Sequence, residues 1–375
     1  MSEARRLSRR RSPALAAVVA LSLSACTSSG RPPLFNATPA GWNRAVRELG
    51  LDPETVICPV QATPEMRRAA HLYGGTGSDL DRLSMLHTAL LDRNDFAFEY
   101  EKVVTFTAAE AFVARRGNCV SFANLLIAFA RAVGVQLQAG LVVSRGSAEK
   151  VDDLIVTYSH MVAVYPSAKS YSIYDFYADR GSVSGNLRLI DDLEIAAIAL
   201  SNRGVAALRE GDLASARDLL EKAVRLGPKL PDMHANLGIV YWRQGEVDTA
   251  LATFLRGLEL DPHQAGLLHN LAALYLQLGR VAEARAALAA ANLGEASAYL
   301  LVVKGDLELA GGDSKSALRS YRRAHSRDPS IVPPLLGIAR AERSLGRPEE
   351  ARRALEKASR LSPDNEQVQE LLESL

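Results

Sequence analysis

A single cysteine stands at the mouth of an apolar, helix-like run, and one histidine and one aspartate follow on strand-like runs. The three segments are Arg116-Gly117-Asn118-Cys119-Val120-Ser121-Phe122-Ala123, Ser159-His160-Met161-Val162-Ala163-Val164 and Ile173-Tyr174-Asp175-Phe176. A thiol becomes a useful nucleophile when something stabilises its thiolate and a base can move its proton. An imidazole supplies the base, and a carboxylate can fix the ring's tautomer and support its protonated form. Cys119, His160 and Asp175 are therefore the candidate catalytic residues. The chemistry they would carry is attack on an amide carbonyl through a thioester.

Local patterning sets where these side chains fall. Phe122, Leu125, Leu126, Phe129 and Val133 follow helical spacing, and Ala123, Ala128 and Ala132 line the other face, so the helix is expected to be buried on most sides. Asn118 is a good N-cap residue, which puts Cys119 at the first helical position, and Gly134 is a natural stop. Free N–H groups at that end favour a thiolate and can stabilise an oxyanion. Downstream, His160 to Tyr165 alternates like a strand, and Tyr171 to Phe176 is rich in Tyr and Ile. A hairpin folded about Ser167-Ala168 would set His160 directly opposite Asp175, on one face and roughly 5 Å apart at Cβ. Each residue also has a plainer reading: a buried cysteine as packing, a strand histidine as a satisfied structural residue, an aspartate as a turn or cap. The joint arrangement points to chemistry.

Arg116-Gly117-Asn118-Cys119-Val120-Ser121-Phe122-Ala123 with Ala130-Arg131-Ala132-Val133-Gly134 resembles the core of the transglutaminase-like superfamily, and the His160 and Asp175 segments follow in the family's order. Phe98-Glu99-Tyr100 and Thr105 to Phe112 resemble its lead-in. The resemblance spans roughly residues 60 to 190. It implies a papain-like α+β fold with Cys119 as nucleophile, His160 as base and Asp175 as orienting acid. Bacterial members of the superfamily include proteases, amidases and peptide-modifying proteins, so the fold leaves the reaction open. For a side-chain oxyanion donor, Asn118 and Asn94 are the candidates, each with a cap or turn role as the alternative.

The N-terminus reads as a targeting segment. Arg5, Arg6, Arg9, Arg10 and Arg11 precede an apolar run from Pro13 to Leu23, too short for an ordinary membrane span. Leu23-Ser24-Ala25-Cys26 resembles a bacterial lipobox, which implies a signal peptide over residues 1–25 and a lipid-modified Cys26; cleavage near Ala25 with an incidental cysteine is the alternative. The expectation is a protein held on the membrane of the cell envelope, with Thr27 pointing to the periplasmic face of the outer membrane. Residues 26–40, rich in Ser, Gly and Pro, read as a flexible tether. An exported compartment permits a disulfide between Cys58 and Cys119; Cys58 as a small buried hydrophobe is the competing expectation.

Beyond a first domain over residues 41–192, the chain is periodic. Gly211, Gly245, Gly279, Gly312 and Gly346 recur at steps of 34, 34, 33 and 34 residues, and Ala216, Ala250, Ala284, Ala317 and Ala351 keep the same phase. Pro228, Pro262, Pro329 and Pro363 close the units. The pattern over 197–375 resembles tetratricopeptide repeats: five units of paired helices, 197–230, 231–264, 265–297, 298–331 and 332–365, with a capping tail from Glu366. The third unit is a residue short and lacks the proline, so a local distortion is expected there. Such solenoids hold extended peptides or partner helices. Asn202, Asn236 and Asn270 share one phase and could contact a peptide backbone, or be ordinary repeat residues; Trp242 and Tyr275 read as repeat packing.

The 375 residues leave room for two domains with sizeable cores once the targeting segment is removed. A net charge of +1 gives no case for nucleic acid. Gly74-Gly75-Thr76-Gly77 lacks the lysine of a phosphate loop, no His/Cys/Asp grouping has metal-ligand spacing, and no cofactor is expected. His71 and His87 read as structural or exposed. The fold expectation is an α+β papain-like domain followed by an all-α repeat solenoid. The functional expectation is a cysteine-dependent amide hydrolase or acyl transferase whose repeats bind a protein or peptide. The alternative is a non-catalytic envelope scaffold that works through its repeats.

Overall fold

The structure, a computed structural model, describes residues 34–142, 147–151, 154–158, 160–166, 171–176, 187–290, 298–363 and 365–374. The expected targeting segment 1–25, Cys26 and residues 27–33 lie outside the described residues.

The first part runs α1 (Pro39–Glu48), α2 (Pro64–Gly74), α3 (Asp79–Leu91), β1 (Glu99–Tyr100), α4 (Ala108–Ala114), β2 (Arg116–Gly117), α5 (Cys119–Ala132), β3 (Gln138–Val142), β4 (Ser147–Val151), β5 (Leu154–Tyr158), β6 (Met161–Pro166), β7 (Tyr171–Tyr174) and β8 (Leu187–Ile190). Each of the first five helices opens on a capping side chain: Thr38, Thr63, Ser78, Thr107 and Asn118. Such caps satisfy backbone donors that the helix leaves orphaned and contribute about 1 kcal/mol each. Strands β7, β6, β3 and β8 form an antiparallel sheet in that order. Helix α5 packs on β3 and β6 and is buried from Val120 to Ala130, as its all-round apolar sequence requires.

The β6–β7 register differs from the expected one by two residues. Ala163 pairs with Tyr174, Val164 with Ile173 and Pro166 with Tyr171, so the position opposite Asp175 belongs to Val162 rather than His160. The connection is therefore two residues longer than a tight turn about Ser167-Ala168; residues 167–170 themselves lie outside the described ones. Because side chains alternate with a period of two, this slip moves His160 along the sheet and keeps it on the same face as Asp175.

The second part consists of helix pairs: α6 (Asp192–Arg209) with α7 (Leu213–Leu226), α8 (Pro231–Arg243) with α9 (Val247–Leu260), α10 (Ala265–Gln277) with α11 (Val281–Ala290), α12 (Ala298–Ala310) with α13 (Ser314–Arg327), and α14 (Pro333–Ser344) with α15 (Pro348–Leu361). The five phased glycines sit at φ between 69° and 81° between the helices of each pair, a turn conformation that side chains resist. A last helix, α16 (Glu366–Glu373), buries Val368 against Leu335, Leu336 and Leu355 and covers the end of the stack. Helix α11 is described as far as Ala290, and the distortion expected in the third unit falls on residues 291–297, outside the described ones.

Two expectations are corrected. The tether does not extend to residue 40. Leu34 N–H donates to Asp191 Oδ2 at 3.1 Å and Ala37 N–H to Asp192 Oδ2 at 2.8 Å, and α1 starts at Pro39. Nor does the core of the first part stop at the repeats, although further apolar clusters fill the rest of the stack. One apolar cluster runs from Trp42 through α5 to Leu226, Leu230 and Met233 of the repeats. The seam is polar as well as apolar. Arg131 on α5 pairs bidentately with Asp192 at 3.0 and 2.8 Å, the carboxylate only 1% exposed. On α6, Asn202 donates to Thr105 Oγ1 at 3.1 Å, and Arg203 donates to the Thr105 carbonyl at 3.2 Å and pairs with Glu110.

The hairpin β4–β5 stands outside the four-stranded sheet. Strand β5 instead packs against α8 and α10, the first helices of the second and third pairs. Val156 on β5 has no exposed surface and belongs to the apolar cluster that holds Leu237, Leu271 and Leu274 of the repeats.

Candidate active site

The Gly-x-Cys segment has a steric reason. Gly117 has φ +146°, and a Cβ there would lie 2.4 Å from Ser121 Cβ, so a side chain has neither the conformation nor the room. The bare backbone lets Ser121 tuck under the loop. Its hydroxyl accepts from Phe106 N–H at 2.8 Å. Asn118 then closes the helix end: its Oδ1 accepts from the N–H groups of Val120 and Ser121 at 3.1 and 3.2 Å, and its Nδ2 donates to Thr105 Oγ1 at 2.6 Å. Cys119 follows as the first residue of α5 and is half-buried.

This capping narrows the oxyanion expectation. Val120 and Ser121 N–H are taken by Asn118 Oδ1, and Phe122 N–H by the Asn118 carbonyl at 3.0 Å. Among the described residues, the backbone N–H of Cys119 is what the helix end leaves for a substrate oxygen. Asn118 commits its side chain to the helix cap and to Thr105, a structural role at the helix end. Asn94 sits in an exposed turn with its Nδ2 on Asp92 Oδ1 at 3.2 Å.

His160 lies one residue before β6, its carbonyl held by Val142 N–H at 3.1 Å; Asp175 lies one residue after β7. The structure brings the two side chains together, His160 Nε2 donating to Asp175 Oδ2 at 3.0 Å. The diagonal register still closes this distance because both residues are long enough to reach along one face. Asp175 cannot swing away, since its Oδ1 accepts from Phe176 N–H at 2.8 Å. With Nε2 engaged, Nδ1 is the ring nitrogen left for the sulfur, and Cys119 is near enough to His160 to help raise it. The imidazole is pushed up to about 10, first by the hydrogen bond to Asp175 and then by the neighbouring Cys119, against the opposing effect of burial. Near neutral pH the ring is therefore an imidazolium clamped between a carboxylate and a sulfur.

One positioning residue was not visible in the sequence. His87 on α3 donates from Nε2 to the carbonyl of Asp175 at 3.0 Å, which fixes its tautomer because a carbonyl only accepts. Its ring is wedged edge-on against Phe122 and Tyr174, with centroids 5.7 and 5.6 Å apart. Phe176 packs on Phe98, Tyr100 and Phe122, walling the Asp175 side of the site with aromatic rings. Nothing local marks His87, whose partner is a backbone atom 88 residues away. His71 is exposed on α2.

The other named residues have structural settings. Cys58 and Cys119 are both free, so the disulfide expected as one alternative is not formed; burial, aided by the charge of Asp192, pushes the Cys58 thiol up to about 12. Asn202, Asn236 and Asn270 are buried, with Asn202 on Thr105 and Asn236 donating to Ser201 Oγ at 3.0 Å. Trp242 donates to Gln277 Oε1 at 2.8 Å, and Tyr275 packs under the guanidinium of Arg280. No group of three or more potential metal ligands occurs among the described residues. No described helix is long and apolar enough to cross a membrane.

Residues 67–178 match the transglutaminase-like superfamily. Residues 207–261 and 308–375 match one tetratricopeptide-repeat family and residues 235–299 a second. No curated protein matches the chain. Among solved structures, a thermophilic repeat protein of Thermus thermophilus is 21% identical, covering 47% of this chain and 96% of its own, with a TM-score of 0.43. Pseudomonas aeruginosa pilF is 20% identical over 48% of this chain and 82% of its own, with a TM-score of 0.43. YrrB, titled a TPR protein with an unusual peptide-binding site, is 20% identical over 48% and 92%, with a TM-score of 0.36.

Proposed function

In a chain that joins a transglutaminase-like domain to tetratricopeptide repeats, we propose that Cys119 is the nucleophile of a cysteine-dependent amide hydrolase or acyl transferase. The observation that carries this is His160, hydrogen-bonded to Asp175 at 3.0 Å and raised further by the neighbouring Cys119. Cys119 sulfur attacks the amide carbonyl as His160 gives its proton to the departing amine, leaving a thioester. The developing oxyanion takes the backbone N–H of Cys119. An incoming water or amine then gives its proton to His160 and its electron pair to the thioester carbonyl, and the thiolate leaves. Water yields hydrolysis; an amine yields transamidation. Asp175 orients the ring and supports its charge in both halves, and a general base of this kind contributes roughly 10² to 10⁴ in rate.

The repeats are a binding module for a protein or peptide. Lipid modification at Cys26 would hold the molecule on the envelope membrane, since two or more acyl chains anchor stably. The test is direct acylation. The protein is incubated with a p-nitrophenyl ester, and its intact mass is read before and after hydroxylamine. A hydroxylamine-labile adduct mapping to Cys119, lost in Cys119→Ala and much slowed in His160→Gln, is the expected outcome. An adduct that forms equally well without Cys119 would overturn the proposal.

A further inference from the structure

The face built by the first helices of the repeats is where an extended peptide is expected, yet part of it is already occupied. Strand β5, Leu154-Ile155-Val156-Thr157-Tyr158, lies along α8 and α10, with Val156 fully buried in the repeat core. Its partner β4 pairs with it from Ser147–Tyr158 to Val151–Leu154 and, among the described residues, with no strand of the main sheet. The outer strands of the hairpin are therefore held by the repeats, while its base stays tied to the sheet through Val142 N–H and the His160 carbonyl. Tyr158, the end of β5, is two residues before His160.

We infer that the α8–α10 face is a strand-binding groove whose resident ligand is the chain's own β5, and that through β5 the repeats hold the arm carrying His160. This rests on the proposed role of His160. The docked strand is extended and rich in β-branched and aromatic residues, the chemistry an external peptide must share to compete. Such a peptide enters this face only by displacing β5, and displacement frees the backbone just ahead of the imidazole. Binding at the repeats and competence at Cys119 are thus linked and oppose each other. A second tie runs in the same direction: Asn202 of α6 and Asn118 of the cysteine helix share the Thr105 hydroxyl. The repeat stack touches both the nucleophile's cap and the base's arm.

Val156→Asp places a charge in the buried contact and tests the link in the full chain. Three readouts are needed: amide hydrogen exchange over residues 154–158, binding of a fluorescein-labelled peptide with the sequence of residues 147–158, and the rate of Cys119 alkylation by iodoacetamide at pH 7. The expected result is faster exchange by at least a hundredfold, peptide binding at least tenfold tighter than to wild type because the groove is vacated, and alkylation at least fivefold slower. Unchanged exchange and peptide binding would show that the repeats do not hold β5. Released β5 with wild-type alkylation would show that the groove does not position His160. If wild-type Cys119 itself reacts no faster than an unfolded thiol, the proposed function fails, while the exchange and peptide readouts still decide the occupancy of the groove. Should Val156→Asp lose its helical circular dichroism, Val156→Ala gives the same three readouts in the same directions with smaller amplitude.

Discussion

Replacing Asp175 by Asn keeps the shape of the site and removes the carboxylate whose hydrogen bond contributes most to raising His160. The wild-type ring titrates at about 10 against an ordinary 6.5, so the folded state binds this proton more tightly than the unfolded chain. Its contribution to stability is then fully present below pH 6.5 and is lost as pH rises through about 10. At about 1.36 kcal/mol per pH unit the gap corresponds to on the order of 4–5 kcal/mol. With the side chains of His160 and Asp175 only 27% and 15% exposed, solvent screening trims this modestly. A hydrogen bond to a charged group contributes about 1.5–3 kcal/mol, so Asp175→Asn should lower the midpoint by about one to two pH units. The assay is a ¹³C–¹H titration of the His160 ring, assigned with His160→Gln, alongside urea unfolding at several pH values. The variant should be less stable by about 1.5–3 kcal/mol at pH 6, and the difference should shrink toward zero as pH passes about 10. A wild-type midpoint near 6.5, or a destabilisation that does not change with pH, would refute the reasoning.

Other perturbations separate positioning from folding. His87→Phe keeps the aromatic contacts and loses the bond to the Asp175 carbonyl; a drop of about fivefold in acylation rate with a stability loss of no more than about 1 kcal/mol is expected, from one lost neutral hydrogen bond, and an unaltered rate would remove His87 from the site. Arg131→Met leaves Asp192 buried without its cation, so a loss of about 3–5 kcal/mol is expected, and because one apolar cluster crosses the seam, denaturant should melt both sides of the seam in one transition. Two separate transitions in the wild type would contradict that continuity. Gly117→Ala meets both a left-handed backbone and Ser121, and should cost more than about 1 kcal/mol, read as a lowered urea midpoint; no loss would mean the loop before Cys119 is free to relax.

Much of this was legible in the sequence because the relevant signals are local. Asn118 before an apolar run marks the start of α5, and the recurring glycines mark the turns of the helix pairs. The contents of the hairpin were legible and its register was not: loop length sets register, and the sequence does not say how many of residues 167–170 belong to the turn. The facing of His160 and Asp175 survived because the error was an even number of residues. What stayed hidden was long-range and often involved backbone atoms. His87 finds a carbonyl 88 residues away, and Asn202 finds Thr105 97 residues away. Residues 34–40 look like linker until Asp191 and Asp192 accept their amides. Nothing in Leu154–Tyr158 distinguishes a strand that joins a sheet from one that lies on helices.

The most direct measurement is the second-order rate of iodoacetamide with Cys119 at pH 6.5, in the native protein and in urea, followed by peptide mass spectrometry with Cys58 as internal control. If Asp175 and His160 arm the sulfur, native Cys119 reacts at least tenfold faster than the unfolded thiol, His160→Gln abolishes the difference, and Cys58, buried and pushed up to about 12, stays unmodified. A native Cys119 that reacts at or below the unfolded rate would contradict the activated site.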